Sequence, residues 1–144
     1  MEELLTLKEL IVCGDLPAAM ELLEEMTEMS KDDKINKIFS YSIILLVHLI
    51  KQKVEKRSTR SWDLSIYNSI TQIRRANQRR KAKGTYLSQS ELSETLAEAY
   101  NLALASAAIE AFEGRYESQE LAKMCDHEEI LTEAIRLIHE KSVD

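Results

Sequence analysis

The stretch IILLVHLI, residues 43–50, decides the fold. Wound as a helix it is apolar nearly all round, the mark of a helix enclosed by others. The chain has one proline, Pro17, and three glycines, Gly14, Gly84 and Gly114. So few breakers leave room for long helices on either side of this stretch. Aromatics and β-branched runs are too sparse to suggest a sheet.

Working outward, Ser30 and Asp33 have the spacing of a capping box, and the central helix is expected to run from there to about Lys56. Upstream, a first helix from about Glu3 to Cys13 is closed by Gly14. Asp15 then caps a second helix, with Pro17 in its first turn and Ala19, Leu22, Leu23 and Met26 facing inward. Downstream, a fourth helix starts near Ser61 and carries one narrow stripe of Trp62, Ile66, Ile70 and Ile73 before Gly84. Ser88 and Glu91 open a fifth, with Leu92, Leu96, Ala99 and Ala103 on one face and Gly114 at its end. A short helical turn falls between Glu117 and Met124. Asp126 and Glu129 cap the last helix, which buries Leu131, Ala134, Ile135 and Ile138. The expectation is an all-α fold, an antiparallel bundle of five to six helices with the third and fifth at its centre, forming a single domain over residues 1–144.

A chain of 144 residues builds a core without disulfides or metal. Cys13 and Cys125 are isolated and no CxxC exists, so two free thiols suited to a reducing cytoplasm are expected. The acidic start MEELL does not read as a secretory leader, and the run Ile43–Val47 is far short of the ~20 residues of a membrane span.

The net charge of −6 is unevenly placed. Residues 1–34 hold ten acids and three bases, a balance of −7. Residues 51–84 hold eleven bases against Glu55 and Asp63, a balance of +9. Residues 85–144 hold thirteen acids and four bases, a balance of −9, and Lys37 supplies the remaining +1. Either the basic segment packs between acidic helices, or it faces out towards a polyanion through Arg74, Arg75, Arg79 and Arg80. No base-stacking aromatics are interleaved with these arginines, and the molecule as a whole is acidic.

Signs of chemistry are few. There is no phosphate loop, no HExxH, and no acid three residues before His48, His127 or His139, so neither metal nor cofactor is expected. Asp126-His127-Glu128-Glu129 reads as a capped helix start. His48 lies on the most polar side of its helix with Lys37, Tyr41, Ile44, Lys51 and Glu55. Arg57-Ser58-Thr59-Arg60-Ser61-Trp62 is the densest constellation: two guanidiniums, three hydroxyls and the only tryptophan at a helix start. It suits either an anion at the helix N-terminus or a structural plug, with Trp62 in the core and Arg60 paired to an acidic helix.

Over nearly its whole length the chain resembles the small bacterial, mainly cyanobacterial, proteins of the domain of unknown function 29 family. The resemblance rests on LVHLIK at 46–51, EKRSTRSWDLSI at 55–66, MSKDDKINKI at 29–38 and EAFEGRY at 110–116. It implies an all-helical fold, brings no activity, substrate or cofactor, and picks out His48, Lys51, Arg57, Arg60, Ser61, Trp62 and Ile66. The first of these up to Trp62 form the candidate binding cluster. The expected function is a non-enzymatic protein-binding module that self-associates. The alternative is a nucleic-acid-associated protein using residues 51–84.

Overall fold

A computed structural model describes residues 2–79 and 84–140. It is all-α: six α-helices and one 3-10 turn among the described residues, with a lone β-bridge between Gln78 and Thr85. The elements are α1 (Glu2–Val12), α2 (Leu16–Glu55), α3 (Arg60–Asn77), α4 (Gln89–Glu110), the 3-10 turn Ala111–Gly114, α5 (Ser118–Ala122) and α6 (His127–His139).

Two expectations change at α2: of the residues expected inward Ala19 is buried and Leu22 and Met26 are half-buried, but Leu23 is 44% exposed, and the helix expected to start at Ser30 does not start there. Ser30 starts no helix: the expected second and third helices are one, α2, 40 residues long. A cap signature ends a helix only where the chain also turns away from helical dihedrals. Nothing between Pro17 and Glu55 makes it do so, because no glycine or proline intervenes. The other start signals behave as read. Asp15 Oδ1 accepts from the Ala18 amide at 3.3 Å. Ser88 and Glu91 form a reciprocal capping box, with bonds of 3.1 and 3.0 Å. Asp126 accepts from the Glu128 and Glu129 amides. Thr59 caps α3 by accepting from the Trp62 amide at 3.1 Å. Gly14, at φ +79°, closes α1 in the left-handed conformation that a helix C-terminus favours.

The chain forms two compact units, residues 1–34 and 35–144. In the larger one the second half of α2 and the length of α4 supply most of the core. Ile38, Leu45, Leu46 and Ile50 from α2 and Leu92, Leu96, Ala99, Ala103 and Ala107 from α4 are buried together with Ile73, Leu121, Ile130, Ala134 and Ile138. The four alanines and leucines of α4 expected inward are all buried. On α3 the expected stripe is inward: Trp62 and Ile73 are buried, Ile66 and Ile70 half-buried. The smaller unit is different. Ala19 is its one buried residue among those described, and α1 buries none.

Candidate functional cleft

Three helix ends meet in the larger unit: the end of α2, the start of α3 and the end of α4 with its 3-10 turn. Between them lies a cleft of about 630 Å3, lined by Lys51, Glu55, Arg57, Trp62, Glu110, Phe112, Glu113 and Arg115. Lys51 and Glu55 are one turn apart on α2. The RST loop then brings Arg57 and, through the Thr59 cap, Trp62 back over them.

Trp62 is bracketed by cations. The Lys51 ammonium stands 4.6 Å from the indole ring centre and the Arg57 guanidinium 4.7 Å. Such contacts contribute about 0.5–2 kcal/mol each, more as water is excluded. Lys51 is only 5% exposed. A buried ammonium needs a partner, and Glu110 provides it at 3.2 Å. Glu55 accepts from Arg57 Nε at 3.0 Å and from the Phe112 amide at 3.3 Å. The loop is tied in from the other side, where Ser58 donates to Asp63 at 2.6 Å and Gln52 donates to Ser58 at 2.7 Å.

The cleft is also where the backbone is strained. Among the described residues, three non-glycine residues have left-handed φ: Lys56 (+54°), Phe112 (+50°) and Glu113 (+58°). All lie at this cleft or in its rim. Each costs about 1–2 kcal/mol; Phe112 is held there by its amide bond to Glu55 and by its edge-to-face pair with Tyr116 at 5.3 Å. Gly114 follows at φ +77°, where a Cβ would sit 3.1 Å from the Ile109 carbonyl oxygen.

The structure thus brings together Lys51, Arg57 and Trp62 of the candidate cluster. His48 lies one turn before Lys51 on α2. Its Nδ1 is buried without a hydrogen-bond partner among the described residues. Burial holds its pKa below the ordinary histidine value, Lys51 adds to this, and Glu110 opposes it. Arg60 and Ser61 point to solvent. The acidic half of the cleft, Glu55, Glu110 and Glu113, together with Arg115, was not singled out as a site. Lys51 and Glu110 are 59 positions apart, and no local spacing reveals such a pair. The one local signal is Gly114, which marks a turn.

Of the polyanion candidates, Arg74 is committed elsewhere. It donates to the Ile138 and Leu137 carbonyls at 2.6 and 2.8 Å and to that of Glu140, closing the C-terminus of α6. Arg75 and Arg79 are exposed, and Arg79 lies 5.8 Å from the Tyr86 ring centre. Arg80 lies outside the described residues. A second cleft of about 600 Å3 runs beside Lys53, Asp126, Glu129 and Glu133. Its charges serve the α6 cap and a Lys53–Glu129 ion pair of 2.5 Å. Tyr100, Cys125 and His127 cluster nearby: the phenol lies 3.5 Å from the thiol and the Tyr100 and His127 rings meet edge to face at 4.3 Å. Burial, then the Cys125 contact, raises the Tyr100 pKa, so the phenol stays protonated.

Chemically the first cleft is balanced, three cations against three carboxylates. Its lining carries no hydroxyl or thiol to act as a nucleophile. Among the described residues no helix is long and apolar enough to cross a membrane. Against known proteins, the model of the family described as Domain of unknown function DUF29 matches residues 18–135. No curated protein and no solved structure matches the chain.

Proposed function

From its membership of the DUF29 family, a grouping that brings no activity with it, we propose that this chain is a non-enzymatic protein-interaction module that self-associates in the bacterial cytoplasm. One observation carries the reading. Of fourteen exposed large hydrophobic residues among those described, eight fall within the first 34 positions: Leu4, Leu5, Ile11, Val12, Leu16, Met20, Leu23 and Met29. Scattered exposed leucines are ordinary, but a dense group on one short unit marks an interaction surface. A unit of that size with one buried side chain has no core of its own, and units below about 40 residues need a staple or a partner. Cys13 is exposed on the same unit, and both cysteines are free thiols, which suits a reducing compartment.

The test is capture from native, nuclease-treated lysate on the immobilised chain, beside a Val12→Glu/Leu23→Glu variant whose folding is verified by circular dichroism. The expected result is a defined set of captured proteins, further copies of this chain among them, that the variant loses. Capture unchanged in the variant, or capture that nuclease abolishes, contradicts the reading.

A further inference from the structure

The apolar residues of the small unit form ordered stripes. On α1, Leu4 and Ile11 are seven residues apart, as are Leu5 and Val12, so all four share one side. At the start of α2, Leu16, Met20 and Leu23 follow the i, i+4, i+7 rule. Around them residues 1–34 carry ten acids and three bases.

A complementary surface exists on the outer side of α3. Arg60, Leu64, Tyr67, Thr71 and Arg75 recur at i, i+4, i+7, i+11 and i+15, opposite the buried stripe of Trp62 and Ile73. Leu64 is 68% and Tyr67 67% exposed. An exposed Leu–Tyr pair with an exposed arginine at each end, Arg60 and Arg75, is the counterpart of an apolar face set among acids.

We propose that two separate molecules of this chain associate by seating the apolar face of residues 1–34 of one copy on the Arg60–Arg75 stripe of a second copy. The inference rests on the interaction-module reading and names its partner and its surfaces. Charge decides between the two ways of covering the face. Pairing two N-terminal faces brings −7 against −7. Seating the face on α3 brings opposite signs together. Both arrangements bury apolar area, so the electrostatic sign selects the second.

The two arrangements respond oppositely to salt. Screening weakens attraction between unlike faces and relieves repulsion between like ones. They also differ in complementation. A copy with Val12→Glu/Leu23→Glu keeps its α3 stripe, and a copy with Leu64→Glu/Tyr67→Glu keeps its N-terminal face. Sedimentation equilibrium of the full chain is the experiment, on the wild type, each variant alone and the equimolar mixture, at low and high salt, with circular dichroism to verify folding. The expected results are an average mass above the monomer's 16.5 kDa for wild type, falling as salt rises. Each variant alone is monomeric, and the mixture recovers association. A wild-type monomer at every concentration overturns the proposal. So does a Leu64→Glu/Tyr67→Glu variant that still self-associates, which is the outcome for face-on-face pairing. If a variant fails to fold, the reversal Arg60→Glu/Arg75→Glu replaces it; that variant is expected to lose self-association, and retained association counts against the proposal. Should wild type prove monomeric while lysate capture still depends on Val12 and Leu23, this inference fails and the interaction module stands with a different protein as partner.

Discussion

Trp62 shows how one residue serves both packing and the cleft. It is 9% exposed, aligned with Ile66, Ile70 and Ile73, and bracketed by two cations. Truncation to alanine removes a large buried aromatic, which typically costs about 3–5 kcal/mol, and leaves the Lys51 ammonium less covered. Urea unfolding of Trp62→Ala is expected to show a loss of that size. A change under about 1 kcal/mol with partner binding abolished would instead make the indole a binding hot spot. His48 yields a pH prediction. Its folded pKa lies below the ordinary histidine value through burial and Lys51, with Glu110 opposing. The unfolded chain therefore binds the proton more readily, so the stabilisation is present above the ordinary histidine pKa and lost as pH falls through the folded value. Melting temperature is expected to fall from pH 7 to pH 5, and His48→Gln is expected to flatten that slope. An unchanged slope in the variant removes His48 as the cause. At this scale the sequence announced the basic half of the cleft, because Arg57 to Trp62 are contiguous. It hid the acidic half, because Glu110 and Glu113 reach the site only through tertiary packing.

At the scale of elements, local chemistry was legible where two signals agreed. Ser88 with Glu91 follows Gly84, and Asp126 with Glu129 follows the end of α5; both cap as read. Ser30 with Asp33 has similar spacing but no break before it, and it lies within α2. The spacing of a cap states a preference, whereas the break in backbone direction decides. Serine substitutions separate the two cases. Ser88→Ala removes a working cap and is expected to cost about 1 kcal/mol. Ser30→Ala replaces an exposed mid-helix serine by the best helix former, and is expected to be neutral or to stabilise by a few tenths of a kcal/mol. Thermal melts of both variants check this. A loss of about 1 kcal/mol in Ser30→Ala would restore a helix boundary there. The left-handed turn at Phe112 and Glu113 was not legible, since neither residue type favours that conformation and only Gly114 signals a turn.

For the whole molecule, the organising fact is charge segregation, visible in the sequence as −7, +9 and −9 over successive segments. Part of the basic segment is used internally: Lys51 on Glu110, Lys53 on Glu129, Arg57 on Glu55 and Arg74 on the α6 carbonyls. Polyanion binding would rest on the remaining exposed arginines, Arg75 and Arg79 among the described residues. In a mobility-shift titration near physiological ionic strength, where the Debye length is ~8 Å, no specific binding of DNA or RNA is expected. Submicromolar affinity that Arg75→Ala/Arg79→Ala abolishes would favour the nucleic-acid reading. The central claim, that the face of residues 1–34 is a docking surface, has its most direct test in amide hydrogen exchange of the unmodified chain in dilute and concentrated solution. An 11-residue helix with no buried residue is marginal by itself. The account predicts that α1 amides exchange fast in dilute solution and gain protection as concentration rises. Strong protection of α1 in dilute solution, independent of concentration, would contradict it.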